Sequence, residues 1–313
     1  MESKIHDLLI IGGGPAGTAG AVYASRKRLK TVMVTGEFGG QSSVSPDIYN
    51  WIGTPSISGE DLAKSFKAHA KAHEGEDLEI VEGKLVIKIE KADDMFVTTL
   101  SDDTTILSRA VLIASGSKRR VMDVPGAKEY ENKGITYCAT CDGPLFGDQD
   151  VVVVGGGNAG FETALQLLAY CKSVTLLNRS ETFRADEVTV EKVLANPKMR
   201  AIKNVDVVSV SGDKFANAIT VKHKETGEEE TIPTGGIFVE IGQLPNTDFV
   251  KDLIKLDEVG RIPIDPWTNA TEVPGVWAAG DVTNIRYHQN NIAAGDAVKA
   301  LEDLYVWIHK NKK

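Results

Sequence analysis

The chain has 313 residues and only three cysteines, Cys138, Cys141 and Cys171. So few cannot build the disulfide framework of a small secreted domain. Long apolar runs are missing too. Leu8–Ile11, near the start, is far shorter than a membrane span and ends in glycines. No charged-then-apolar leader with a small-residue cleavage site opens the sequence, so the expected location is the cytoplasm, with no membrane partner. Basic side chains are in the minority, 35 against 44 acidic ones, for a net charge of −9. Non-specific nucleic-acid binding needs a cationic surface to displace counterions, so no nucleic-acid partner is expected. What is present is an ordinary globular composition, 42% hydrophobic and 25% charged. The length suits about two domains with cores of good size.

Two segments look alike. "HDLLIIGGGPAGTAGAVYASRKRLKTVMVTG" (6–36) and "DQDVVVVGGGNAGFETALQLLAYCKSVTLLNRS" (148–180) each read as an apolar strand, a glycine cluster, an amphipathic helix and a second strand. Apolar runs without alternation suit strands buried on both faces of a parallel sheet. Both carry G-x-G-x-x-G, at Gly12, Gly14, Gly17 and at Gly155, Gly157, Gly160. The first glycine permits a tight turn, the second lets backbone approach a pyrophosphate, and the third lets helix and strand pack closely. The phosphates then meet the positive end of a helix. Two such loops, each after a strand and before a helix, predict two bound dinucleotides. A flavin on the first and a nicotinamide on the second is the common arrangement. Further strand-like pieces lie in 84–116, 202–241 and 275–284. A linker with a Pro-Asn turn is expected over 241–250, and a closing helix over 292–308.

"ITYCATCDGPLF" (135–146) holds the close pair Cys138 and Cys141, followed by Asp142. Three readings compete: half a zinc site, a structural staple, or a redox pair. In a reducing compartment a close pair favours catalysis or metal over a permanent staple. Zinc needs two more ligands. Cys171 is expected inside the second βαβ helix as a buried, inert thiol. His69 and His73 share a helix face, but their order and spacing fit no finger, and a solvated face suits them better. No metal site is expected. "DGP" after the pair reads as a turn.

In order, GGGPAG (12–17), GGQ (39–41), NWIG (50–53), CATCDG (138–143), GGGNAG (155–160), RADE (184–187), IGQLPNT (241–247) and AAGDV (278–282) resemble the low-molecular-weight thioredoxin reductases over nearly the whole length. The resemblance implies an α/β fold of two Rossmann-like dinucleotide-binding domains, the second inserted into the first. Residues 1–117 and 248–313 would form the FAD domain, and 118–247 the NAD(P) domain carrying the CxxC. It also implies a redox-active Cys138–Cys141 disulfide, with Cys141 on the flavin side, Cys138 attacking the substrate and Asp142 as general acid/base. Electrons would run from NADPH through FAD to thioredoxin or a thioredoxin-like protein, in a homodimer, with a large rotation between domains. FAD would meet Gly12, Gly14, Pro15, Ala16, Gly17, Thr35, Gly36, Glu37, Gly40, Gln41, Asn50, Gly116, Gly280, Asp281, His288 and Gln289. The nicotinamide nucleotide would meet Gly155, Gly157, Asn158, Ala159, Gly160, Asn178, Arg179 and Arg184.

The sequence departs from the family at three places. Ser180 stands where the NADPH signature has its second arginine, and no acid near 177–178 offers the ribose contact of an NAD enzyme. His288 replaces an arginine, and "AAGDA" (293–297) lacks a second glycine. NADPH is therefore the expected donor, with NADH, ferredoxin or another reductant as alternatives. A slow flavin-based redox sensor is the alternative from another class. Related flavoproteins with extra N-terminal thioredoxin-like domains, or with a C-terminal cysteine tail, fit less well, because the sequence opens on the first strand and ends in "WIHKNKK".

Overall fold

The two apolar runs become interior strands of two sheets, each paired in parallel on both sides. The computed structural model describes residues 4–45 and 48–311. It divides the chain into Met1–Lys118 with Leu244–Lys313, and Arg119–Gln243. The second unit is thus inserted into the first.

In the first unit, Ile5–Gly13 lies between Thr31–Phe38 and Thr105–Ile113, both parallel to it. Leu78–Glu82 extends one side, and Val276–Ala278 runs parallel to Thr105–Ile113. Antiparallel strands Met95–Leu100 and Val86–Ala92 complete the sheet. The absence of alternation now has its reason. Leu8 and Ile10 pack with Ala21, Leu62 and Leu301 of the helices Pro15–Arg26, Gly59–Ala72 and Asn290–Asn311. Leu9 and Ile11 pack on the opposite face with Ile89, Phe96 and Leu100. Each such side chain removed from water stabilises the fold by about 1.5–3 kcal/mol. The Ala- and Gly-rich face of Pro15–Arg26 lets that helix sit close to the sheet; a Cβ at Gly20 would crowd Leu112.

The second unit repeats the plan. Met199–Ile202, Ser173–Leu177, Asp150–Val154, Gly236–Val239 and Ile135–Thr136 form a parallel sheet in that order. Val151 and Val153 face the helix side, with Phe161, Leu167 and Val193. Val152 and Val154 face the other side, with Val210, Ile219 and Val221 of a three-stranded antiparallel layer. In both units the strand that precedes the glycine loop, Ile5–Gly13 or Asp150–Val154, has the next strand in sequence on one side and a later strand on the other. That switch opens a crevice at the carboxyl ends of the strands, where α/β sheets bind ligands.

Three sequence expectations need correction. Cys171 lies beyond the second βαβ helix, which ends at Leu167, not inside it. "DGP" is not a simple turn: the helix Ala139–Asp142 runs into a 3-10 helix, Gly143–Phe146. Pro144 allows this because a helix start needs no N–H from it. The segment expected as a linker contains a short strand, Gln243–Pro245, and a 3-10 turn, Asp248–Val250. Among the described residues no helix is long and apolar enough to cross a membrane.

Candidate functional site

Strand Ile135–Thr136 delivers the chain to Cys138, whose extended backbone begins the helix Ala139–Asp142. Cys138 and Cys141 are joined as a disulfide, with Cα atoms 5.3 Å apart. The Cys141 amide donates to Cys138 Sγ at 3.2 Å, and the Asp142 amide donates to the Cys138 carbonyl at 3.0 Å. Behind the pair, Thr136 Oγ1 donates to Asp142 Oδ2. Burial pushes the Asp142 carboxyl above its ordinary range, while the Thr136 hydroxyl and the Arg119 guanidinium pull the other way. A raised carboxyl holds a proton closer to neutral pH, as a proton shuttle needs.

This geometry fits the redox reading of the pair. Sulfurs joined to each other are not zinc ligands in this state. The His69 and His73 rings lie 5.5 Å apart, tilted by 47°, at the end of Gly59–Ala72, which belongs to the other unit. Among the described residues no group of three or more His, Cys, Asp or Glu is placed to hold a metal. A staple acts by restraining the unfolded chain, and a bridge over two residues restrains little of it.

The first glycine loop is a cradle that side chains would fill. Gly12 has φ +117°, and a Cβ there would strike the Ala114 carbonyl. A Cβ at Gly17 would strike the Gly12 carbonyl. Gly14 caps the helix without any side-chain hydrogen bond, Pro15 opens it, and its first turn holds no acid. Its leading N–H groups therefore offer an anion site. Ala16 is buried beneath the loop, beside Gly280 (φ +77°). Thr35 Oγ1 donates to the Glu37 carbonyl at 2.6 Å, and both line Gly13, with Gly36 between them. Gly40 (φ +63°) faces Gly14 across the loop. Gln41 Nε2 donates to Ser117 Oγ at 2.9 Å and to Asp281 Oδ2 at 3.2 Å. Its Oε1 is buried without a partner among the described residues. An orphaned acceptor beside an uncapped helix start fits a polar cofactor there. Asn50 Nδ2 donates to Gln289 Oε1 at 3.0 Å, and His288 Nε2 lies 3.1 Å from the Ile285 carbonyl. Gly116 (φ +65°) accepts from the Asn246 amide at 3.0 Å.

The second loop copies the first. Gly155 has φ +131°, and a Cβ there would strike the Glu240 carbonyl; one at Gly160 would strike the Gly155 carbonyl. Gly157 caps its helix with no side-chain bond, and again no acid stands in the first turn. Asn158 and Ala159 are exposed at the helix start, and Asn158 Oδ1 accepts from the Asp186 amide at 2.8 Å. The Arg184 amide donates to the Gly156 carbonyl at 2.9 Å, which brings the 178–184 turn against the loop. Asn178 is spent on that turn: it is buried, and its Nδ2 donates to the Ser180 and Thr182 carbonyls at 2.6 and 3.0 Å. Arg179 and Arg184 stand exposed beside it. The Arg179 Nε lies 3.2 Å from Asp206 Oδ1. The donor set of both cradles, backbone N–H groups with arginines at the second, fits two dinucleotides.

Known proteins agree. Residues 6–297 match the family model described as pyridine nucleotide-disulphide oxidoreductase. The chain belongs to the pyridine nucleotide-disulphide oxidoreductases. It is similar to the thioredoxin reductase from Streptococcus pyogenes, with a TM-score of 0.88 and 34% identity over 98% of this chain and 99% of that one. It is 36% identical over 310 residues to a protein named NADH dehydrogenase from Bacillus subtilis. It is 35% identical over 306 residues to a Staphylococcus epidermidis protein named as a subunit of alkyl hydroperoxide reductase. The chain spans 99% and 98% of itself in those alignments but only 60% of either relative's length. The family implies FAD and a nicotinamide nucleotide, the groups that the two cradles fit.

Several residues of this oxidoreductase escape a reading by motif. Thr136 and Ser117 position Asp142 and Gln41, and no spacing announces them. Glu240 does leave a signal, an acid closing the apolar run "GIFVE". Its carboxyl accepts from Thr163 Oγ1 at 2.8 Å, and burial pushes it up to about 7. Cys171 keeps its expected chemistry in its corrected place. Its Sγ donates to the Phe146 carbonyl at 3.3 Å, and burial pushes the thiol up to about 11. Reaction needs an exposed thiolate. In the oxidised protein iodoacetamide should therefore label no thiol at pH 8 until denaturant is added, and then one per chain; native labelling would contradict the burial.

Proposed function

We propose that the chain is a disulfide reductase that passes electrons from a reduced nicotinamide nucleotide, through FAD, to the Cys138–Cys141 pair and on to thioredoxin or a thioredoxin-like protein. The joined pair, with Asp142 next in the chain and bonded to Thr136, carries this reading. The first cradle, with Gly12, Gly14, Gly17 and Gln41, would hold FAD, whose two-electron chemistry would link the nicotinamide to the disulfide. The chain's own residues do the rest. Opening the bridge leaves two sulfurs that share one proton. The Cys141 N–H, aimed at Cys138 Sγ, favours the negative charge on that sulfur. Cys138 Sγ then attacks one sulfur of the substrate disulfide. A mixed disulfide forms, and the first substrate sulfur leaves with its electron pair and takes a proton, the role we assign to Asp142. Cys141 returns its proton to the Asp142 carboxylate and attacks Cys138 Sγ, which breaks the mixed disulfide and restores the acid. The second substrate thiolate is released and protonated from solvent. Two electrons and two protons have then moved to the substrate, and the bridge is re-formed.

NADPH is the donor that Arg179 and Arg184 support, since arginine suits a 2′-phosphate. A second reading, NADH, is favoured by the Arg179–Asp206 pair, by Ser180, and by the relative named NADH dehydrogenase. The relative named for alkyl hydroperoxide reductase supports a partner other than free thioredoxin. The test is anaerobic. Purified yellow protein is mixed with NADPH, and separately with NADH, and the flavin band is followed; oxidised thioredoxin is then added. Bleaching by a nicotinamide nucleotide and recovery with thioredoxin are expected. Bleaching by neither, with dithionite still effective, would remove the nicotinamide step and turn attention to ferredoxin or another reductant.

A further inference from the structure

The turn after Ser173–Leu177 lies where a βαβ unit reads the ribose of its nucleotide: an acid there serves the 2′-hydroxyl and an arginine a 2′-phosphate. Arg179 holds that place, exposed, with a side-chain accessibility of 83%. It is not a lone cation. Asp206, on the strand Val205–Gly212, lies 3.2 Å from Arg179 Nε through its Oδ1. The same oxygen lies 3.4 Å from Lys224 Nζ. Lys224 follows the strand Ala216–His223, which pairs antiparallel with Val205–Gly212. One carboxylate therefore holds two cations at the edge of the second cradle.

We propose that Asp206 is a specificity-determining residue that weakens recognition of a 2′-phosphate by this chain. The proposal rests on the reading of 155–160 as a nucleotide loop. A 2′-phosphate approaching Arg179 meets a like charge within one side chain's length and must draw Arg179 away from it. A nucleotide without that phosphate faces no such competition. Ser180 adds no cation to tip the balance. Asp206 thus narrows the gap between the phosphorylated and unphosphorylated nucleotides, and does so from a hairpin outside the glycine motif.

The test is binding, not turnover. Flavin-loaded wild type and Asp206→Asn are titrated calorimetrically with 2′,5′-ADP and with 5′-ADP. Asparagine keeps the shape and removes the charge. Exposed ion pairs are worth up to about 1 kcal/mol each, so freeing Arg179 and Lys224 should tighten 2′,5′-ADP by roughly three- to tenfold. Binding of 5′-ADP should stay unchanged, and the gain should shrink with added salt. In an Arg179→Ala background most of the gain should vanish, since coupling between the two residues is what the cycle measures. Equal changes for both ligands, or none, would overturn the proposal and leave the nucleotide loop standing. Failure of wild type and variant to bind either ligand would overturn the loop reading, and the proposal with it.

Discussion

Replacing Cys138 with serine should lower turnover of a protein disulfide by about a thousandfold or more, the scale seen when a covalent nucleophile is removed. A serine hydroxyl does not ionise near neutral pH and forms no bridge with sulfur, so the mixed disulfide never arises. Cys141 alone cannot substitute. A single thiol attacking a substrate stalls as a mixed disulfide, because no neighbour resolves it. Bleaching of the flavin by the nicotinamide nucleotide should survive, because the glycine loops and their partners belong to other segments: Gly12–Gly17 with Gln41 and Asp281, and Gly155–Gly160 with Glu240. Flavin content on purification separates a chemical loss from a folding defect. The backbone of the turn rests on the Asp142 amide to the Cys138 carbonyl, which serine retains. Full disulfide turnover by Cys138→Ser would end the mechanism proposed above. Loss of flavin bleaching along with turnover would mean that the two half-reactions are not separable in this way.

Much of this was readable in the sequence because the deciding physics is local. An unalternating apolar run needs cover on both faces, and Leu8–Ile11 and Val151–Val154 have it. A glycine with positive φ, or one whose Cβ would strike a carbonyl, cannot be much else, and Gly12, Gly17, Gly155 and Gly160 are such positions. What stayed hidden depends on contacts between distant segments. Gln41 reaches Asp281 across 240 positions, and Thr163 reaches Glu240 across 77. Asn178 sits in register for a nucleotide contact, yet its amide is taken up by its own turn. Arg179 reads as a phosphate ligand until the hairpin carrying Asp206 is laid beside it. The place of Cys171 was missed because the helix stops at Leu167, although the apolar pattern runs on through "LAYC".

Replacing Glu240 with glutamine should flatten the pH dependence of stability between about pH 4.5 and 7. In the folded chain burial raises the carboxyl to about 7, against an ordinary value of 4.5; Glu162 adds to the rise, while the Thr163 hydroxyl and Arg119 oppose it. The sign follows from proton counting. Below pH 4.5 both states are protonated and the group makes no difference. Through the window the folded chain keeps a proton that the unfolded chain has released, so stability falls as pH rises. Above 7 the folded chain carries a buried charge at full cost, about 3 kcal/mol for a shift of this size. Glutamine keeps an acceptor for Thr163 and never ionises. The variant should therefore match wild type near pH 4.5 and exceed it at pH 8. For a unit of this length the gain in unfolding midpoint is roughly 10 °C. Calorimetric scans of both proteins at pH 5 and pH 8 decide the matter: parallel pH slopes would mean that the carboxyl is solvated in the folded chain. The Glu240 carboxyl is tied to Thr163, in the second turn of the helix Asn158–Leu167, and the Glu240 backbone carbonyl underlies Gly155, so a buried charge above pH 7 burdens the elements that hold the second glycine loop.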